Sequence, residues 1–177
     1  MYVTPDKISE MIFSIFRFPI VFMGTPIIAV PSWLISIGED LGWQGYLLPL
    51  LCNRIGVKKA VLLTGFLWGV GHAPLIFFGM NYGDSYLGAP YTGIGMMIFF
   101  SIIISIWMSF IFIKTQNCMY ASIIHGSINI VGETGIFISL NTKDALLGPN
   151  PTGIIGMLFL FIGAIILFLK LPKEYNT

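Results

Sequence analysis

The amino-acid sequence predicts an all-α protein, a polytopic membrane helical bundle with about five or six transmembrane segments. Hydrophobic residues make up 56% of the 177 residues and charged residues only 10%, against about 25% charged residues in an ordinary soluble domain. Apolar stretches of about 20 residues, the length that crosses a bilayer, recur along the chain. At a rise of about 1.5 Å per residue there is room for these spans and little else, so we expect residues 1–177 to form a single membrane domain.

The charge balance and the cysteine pattern exclude several classes of protein. Nine Lys and Arg residues against eight Asp and Glu residues give a net charge of +1, which is too weak a field to attract nucleic acid. Cys52 and Cys118 lie far apart and form no C-x-x-C motif, so neither a disulfide framework nor a zinc knuckle is indicated. We therefore expect the function to lie within or beside membrane lipid.

The apolar stretches predict the helices in chain order. Residues 1–17 mix charged and apolar side chains, as in an interfacial amphipathic lead-in. The stretch 18–38 contains two prolines and runs into residues 38–51, which predicts a bent helix or two pieces with Glu39 and Asp40 near the junction. Clearer spans are expected at 60–79, 92–113, 119–140 and 152–169.

The distribution of basic residues predicts the topology. The loop 52–59, the loop that contains Lys114 and the C-terminal tail are basic, whereas the loop 80–91 has neither Lys nor Arg. By the positive-inside rule, the basic loops and the C-terminus are expected on the cytoplasmic side. Lys143 is the exception, because it falls in a loop assigned to the outside.

Ionisable residues inside the predicted spans are few, and each is a candidate for function because burying one in hydrocarbon is costly. They are Glu39 and Asp40 at the first junction, His72 in the second apolar segment, and His125 with Glu133 in the fourth. Glu133 lies near the end of its span, so we interpret it as a solvated residue outside the site.

Two further candidate residues lie one helical turn from the histidines. His125 and Asn129 are four residues apart, as are Trp68 and His72, and residues at this spacing share a helix face. A lone histidine or asparagine would more often be a structural hydrogen-bonding group. The combination on three spans of a chain with so few charged residues favours a functional site.

The segments that carry these residues resemble the CPBP intramembrane proteases, the group of CAAX proteases and bacteriocin-processing and self-immunity (Abi) proteins. GEDLGWQGYLLPLL at 38–51 is similar to the family's E-E-x-x-x-R segment, WGVGHAPL at 68–75 to its F-x-x-x-H segment, and HGSIN at 125–129 to its H-x-x-x-N segment. The order and spacing also match, and the resemblance covers residues of about 30–135. Asp40 replaces the second Glu, Gln44 the Arg and Trp68 the Phe.

The resemblance implies an intramembrane endopeptidase in which Glu39 activates a water molecule and His72 orients it. His125 and Asn129 would then donate hydrogen bonds to the oxyanion that develops on the scissile carbonyl. Asp40 is expected to be a supporting acid. Trp68 is expected to wall the site, while Gln44 lacks the charge of the family's Arg and leaves the activity of this chain open.

The resemblance also implies the substrate class and the cofactor. The substrate would be a membrane-associated or lipidated, CAAX-like protein or peptide, and eukaryotic relatives trim three C-terminal residues from such proteins. We expect no cofactor, with zinc held by Glu39, His72 and His125 as the alternative. The expected location is a bacterial or archaeal cell membrane.

Other classes of function remain open. A non-catalytic member of the same fold could act as a bacteriocin immunity or membrane scaffold protein, in line with Gln44. His72 and His125 could also be axial ligands of a haem. A proton or ion carrier could use Glu39, Asp40 and His72 as a relay, although the chain lacks an internal repeat.

Overall fold

The computed structural model describes residues 31–138, 146–148 and 150–175 of the chain. All regular secondary structure in this described part is helical, which confirms the all-α class. Two apolar helical stretches, Val57–Phe77 with 21 residues and Tyr91–Thr115 with 25, are long enough to cross a membrane, and Ile154–Leu169 is a shorter apolar helix. The expected lead-in at 1–17 and most of the first apolar stretch lie outside the described residues.

The helices follow the predicted spans closely. Helix α1 comprises residues 31–40, a π-helical stretch Leu41–Leu47 and an α-helical stretch Leu48–Ile55. The remaining helices are α2 (Val57–Gly71), α3 (Ala73–Phe77), α4 (Tyr91–Thr115), α5 (Cys118–Ile138) and α6 (Ile154–Leu169). The spans predicted at 60–79, 92–113, 119–140 and 152–169 correspond to α2 with α3, α4, α5 and α6.

The junction expected at Glu39 and Asp40 is a change of helix type. Residues 31–55 remain helical, and the π-helical stretch begins directly after Asp40, at Leu41. A π-helix closes hydrogen bonds from residue i to i+5, is rare, and occurs frequently at functional sites. The two acidic residues therefore lie at the last α-helical turn before a rare local geometry.

His72 is the residue between α2 and α3. Pro74 follows within the first turn of α3 and has no N–H to continue the hydrogen bonds of α2. The N–H of His72 donates to the carbonyl oxygen of Gly69 at 3.1 Å. His72 therefore caps the end of one helix and the start of the next.

Helix α4 is the centre of the bundle and packs closely against α2. A β-carbon added to Gly65 would lie 2.7 Å from the Cα of Ile102, and one added to Gly69 would lie 2.5 Å from the Cα of Ile98. The hydroxyl of Ser105 in α4 donates to the carbonyl oxygen of Val61 at 3.0 Å. Small residues thus bring the two backbones together, as in many membrane helix pairs.

We expect Gly65→Ala to destabilise the protein by about 1–3 kcal/mol, the usual cost of overpacking a close contact. The new methyl group would collide with backbone and side-chain atoms of Ile102 and Ser105 in α4. The matched control is Gly71→Ala in the same helix, because a β-carbon there would meet nothing within 4 Å. Thermal unfolding in lipid nanodiscs measures both variants, and equal melting temperatures would contradict the close packing.

Two contacts place the basic segments at one end of the bundle. The hydroxyl of Tyr175 in the tail donates to Oε1 of Gln116 in the α4–α5 turn at 3.0 Å. The Nζ atom of Lys58 at the start of α2 lies 5.3 Å from the ring centroid of Phe168 near the end of α6. The basic loops and the tail therefore share one end, as the charge pattern predicts, and the side of the membrane that this end faces stays a prediction.

Candidate active site

A cavity of about 400 Å³ lies between α1, α2, α4 and α5, within the range of small-ligand sites. The structure brings the four expected catalytic residues to this cavity: Glu39, His72, His125 and Asn129 all line it. His125 is buried, His72 partly exposed, and Glu39 and Asn129 exposed. The three segments that resemble the protease family therefore meet at one cavity.

Glu39 is held by the indole of Trp68. Nε1 of Trp68 lies 3.3 Å from Oε2 of Glu39, and an indole N–H only donates, so the carboxylate is the acceptor. Trp68 is 6% exposed and also lines the cavity. Its role is therefore larger than the expected aromatic wall, because it contacts the acid by a hydrogen bond.

The ring of His72 is oriented by its own helix. Nδ1 of His72 lies 2.9 Å from the carbonyl oxygen of Trp68, one turn earlier. A carbonyl oxygen only accepts, so Nδ1 carries the proton of this hydrogen bond. In the neutral ring Nε2 is then an unprotonated acceptor.

Asp40 and His125 form a buried pair between α1 and α5. Nδ1 of His125 lies 3.2 Å from Oδ1 and 3.4 Å from Oδ2 of Asp40, and Asp40 is fully buried. A buried carboxylate is costly unless it is paired. Nδ1 of His125 supplies that partner, and the pair leaves the other ring nitrogen, Nε2, unused.

Trp68 also separates the two histidines. Its ring centroid lies 5.6 Å from that of His72 and 5.0 Å from that of His125, both in edge-to-face arrangements. Adjacent residues on an α-helix point about 100° apart, so Glu39 contacts Trp68 on α2 while Asp40 contacts His125 on α5. One tryptophan thereby fixes the relative positions of three candidate groups.

The close approach of α1 to α5 depends on Gly126. A β-carbon at this position would lie 3.0 Å from the Cα of Trp33 in α1. The neighbouring residue His125 therefore reaches Asp40 of α1 because the two backbones nearly touch. The sequence HGSIN places this small residue directly beside the histidine.

Gln44 takes no part in the wall of the cavity. It is 1% exposed, and its Oε1 accepts a hydrogen bond of 3.1 Å from the hydroxyl of Ser109 in α4. The residue at the position of the family's Arg therefore ties α1 to the central helix. Glu39 has its hydrogen bond from Trp68 instead.

The zinc alternative does not fit the described residues. Within that part of the chain, no three His, Cys, Asp or Glu side chains are grouped so that they could hold a metal ion. We therefore assign no step to a metal at Glu39, His72 and His125.

Glu133 lies in α5, and its side chain falls outside what the structure describes.

Sequence reasoning missed several polar residues of the cavity. Ser101 of α4, Asn81 and Asn150 also line it. The two connections that contain the asparagines are joined by the hydroxyl of Tyr82, which donates to the carbonyl oxygen of Thr152 at 3.0 Å. Burial raises the pKa of Tyr82, so this hydroxyl stays protonated. Ser101 had a signal in the sequence, since three serines recur every four residues in the apolar stretch 92–113.

The fold and the cavity define a class: a helical membrane protein in which a carboxylate, two imidazoles and an amide line one cavity. Comparison with known proteins gives the family. Residues 10–131 match the family described as Type II CAAX prenyl endopeptidase Rce1-like. The chain belongs to this family, which confirms the membership expected from its three motifs.

A named relative supports the same assignment. The chain is 34% identical over 137 residues to CAAX prenyl protease 2 of Methanococcus maripaludis, an alignment that covers 75% of this chain and 46% of the relative. The chain thus spans about half the length of that protein. No solved structure matches the chain significantly.

Proposed function

We propose that this chain is an intramembrane endopeptidase that hydrolyses a peptide bond of a lipidated, CAAX-like protein or peptide with a water molecule activated by Glu39. The observation that carries the proposal is the meeting of Glu39, His72, His125 and Asn129 at one cavity. The family and the relative's name support a CAAX protease. The residue roles are those that the resemblance of the three motifs implies.

Two acceptors are available to orient the attacking water. The carboxylate of Glu39 accepts one of its protons, and Nε2 of His72 accepts the other, because Nδ1 of that ring donates to the backbone. Glu39 then takes its proton as general base while the oxygen attacks the scissile carbonyl. The hydrogen bond from Trp68 holds the carboxylate in place during this step.

Two hydrogen-bond donors stabilise the carbonyl oxygen of the substrate, which becomes negative when water attacks. Nε2 of the His125 imidazolium and the side-chain amide of Asn129, one helical turn apart, donate to the tetrahedral oxyanion. The contact of 3.2 Å between Oδ1 of Asp40 and Nδ1 of His125 holds the ring from the buried side. As the intermediate collapses, Glu39 returns its proton to the leaving amine and the C–N bond breaks. A free amine and a new carboxylic acid are formed, and the acid then releases its proton to water.

The substrate class follows from the position of the cavity. Two helical stretches are long enough to span a bilayer: α2 with α3, and α4. They supply His72 and much of the apolar lining of the cavity. A chain that reaches a site among these helices is itself associated with the membrane. By analogy with the family description, we propose release of the three residues that follow a prenylated cysteine.

The proposal is tested with the protein in lipid nanodiscs and a panel of peptides that end in a CAAX sequence. Each peptide is offered with a farnesyl, a geranylgeranyl or no lipid on the cysteine, and the products are identified by mass. We expect the lipidated peptides to lose three residues. Intact peptides throughout the panel would overturn the proposal and favour a non-catalytic member of the family.

We expect Trp68→Phe to lower kcat about tenfold, the value of one hydrogen bond to a charged group. Phenylalanine keeps the aromatic wall but removes the N–H that holds Glu39. The matched control is Trp107→Phe, which removes an indole bond of 2.9 Å to the carbonyl oxygen of Leu160 in α6. Both variants lose one hydrogen bond, so an equal kcat in the two would contradict the role of Trp68.

A further inference from the structure

The serines of α4 form a stripe along one face of the central helix, and one of them differs from the others. Ser101, Ser105 and Ser109 follow at four-residue intervals and are all buried. The hydroxyl of Ser105 donates to Val61, and that of Ser109 donates to Gln44. Ser101, at 1% exposure, has no hydrogen-bond partner for its Oγ in the described part of the chain.

Ser101 is also the serine of this stripe that lines the cavity. Elsewhere in the bundle, buried serines satisfy their hydroxyls by bonding back to their own helix, as Ser36 does to Ser32 and Ser122 to Cys118. A buried hydroxyl without a partner costs free energy. Its persistence at the cavity wall indicates a group that becomes satisfied when the cavity is filled.

Asn150 provides a second unpartnered polar atom at the same cavity. Its Oδ1 is buried and accepts no hydrogen bond within the described residues, and the residue is part of the cavity lining. Ser101 carries an O–H that can donate, and Asn150 a carbonyl oxygen that only accepts. A peptide backbone presents the complementary pair, since each residue carries one acceptor and one donor.

We propose that Ser101 and Asn150 bind the main chain of the substrate peptide, with the Ser101 hydroxyl donating to a substrate carbonyl and Oδ1 of Asn150 accepting from a substrate N–H. This inference rests on the proposed function and names the residues that position its substrate. Both bonds are independent of the substrate's side chains. They hold the peptide in register beside Glu39 without selecting its sequence.

The first test compares Ser101→Ala with Ser105→Ala in nanodiscs. Ser101→Ala removes a hydroxyl without a partner, so the melting temperature stays the same or rises, while KM rises about three- to tenfold and kcat is kept. Ser105→Ala breaks a helix–helix bond, so its melting temperature falls while KM is kept. An unchanged KM in Ser101→Ala would overturn the role of Ser101.

The second test locates the N–H that Asn150 accepts. Each peptide has one amide, other than the scissile one, replaced by an ester. Its Kd is measured with two inactive proteins, the Glu39→Gln variant and the double variant Glu39→Gln with Asn150→Ala. At one position we expect the ester to weaken binding only where Asn150 is present. Equal losses in both proteins at every position would overturn the role of Asn150.

Failure of this inference is distinguishable from failure of the proposed function. If the wild-type protein cleaves lipidated peptides and the Ser101 and Asn150 variants bind them as tightly as their parents, only the inference falls. If the wild-type protein neither cleaves nor binds any peptide of the panel, the function falls and the inference falls with it.

Discussion

Glu39→Gln is expected to lower kcat for peptide cleavage by about 10²–10⁴-fold, the usual contribution of a general base. Glutamine has the same shape as glutamate, and its carbonyl oxygen still accepts the hydrogen bond from Trp68. It cannot take a proton from water at any working pH. The loss therefore falls on kcat, whereas substrate binding and thermal stability stay close to wild type.

The measurement is the rate of release of the C-terminal tripeptide in nanodiscs, compared at equal amounts of folded protein. Glu174→Gln is the matched control, because this glutamate is exposed in the C-terminal tail and lies outside the cavity. We expect the control to cleave at the wild-type rate. Undiminished cleavage by Glu39→Gln would show that another group activates the water.

Asp40→Asn is expected to lower kcat by about 10²–10³-fold, as when one donor to an oxyanion is removed. The amide oxygen of asparagine still accepts from Nδ1 of His125, so the geometry of the pair is kept. The countercharge is lost, however, and the buried ring then holds one proton instead of two. Nε2 of His125 no longer donates to the oxyanion.

The protonation of His125 is read directly by nitrogen NMR of the labelled side chains. The chain contains two histidines, so His72→Gln assigns both signals. We expect two protonated nitrogens on His125 in the wild-type protein and one in Asp40→Asn. A neutral ring in the wild type would contradict the assignment of His125 as an oxyanion donor.

A double-mutant cycle tests whether Asp40 and His125 act as a unit in catalysis. If Asp40 acts through His125, Asp40→Asn adds little to the loss caused by His125→Gln, because residues that act as a unit are not additive. Multiplied losses in the double variant would mean that Asp40 acts independently.

Much of the fold was predictable because apolar length is a strong constraint in a membrane. The bounds of α4, α5 and α6 fall within a few residues of the predicted spans. The π-helical stretch after Asp40 was not predictable. No local pattern distinguishes it from an α-helix, since it depends on how α1 packs on its neighbours.

The sequence predicted which residues belong to the candidate site, but not which of them contact one another. The cost of an ionisable group in hydrocarbon singled out Glu39, Asp40, His72 and His125. Helical spacing could not reveal that Asp40 pairs with His125, since these residues are 85 positions apart. That contact depends on the close approach of α1 to α5 at Gly126.

The role of Gln44 shows the same limit. Its place in the motif suggested a weakened partner for an acid, whereas the structure gives it a hydrogen bond to Ser109 of the central helix. Which helices touch is a property of the whole bundle, set by small residues such as Gly65 and Gly69 along α2. A single motif contains no information on the partner across the interface.

The decisive measurement is a single-turnover cleavage of a prenylated CAAX peptide in ¹⁸O-labelled water, with protein in nanodiscs and the products weighed by mass spectrometry. If Glu39 activates water for direct attack, the new C-terminal carboxylate of the wild-type product carries one ¹⁸O atom from the first turnover, and Glu39→Gln gives no product in the same time. A first product without ¹⁸O would mean that a protein carboxylate attacked the peptide, and cleavage by Glu39→Gln at the wild-type rate would mean that Glu39 is not the base.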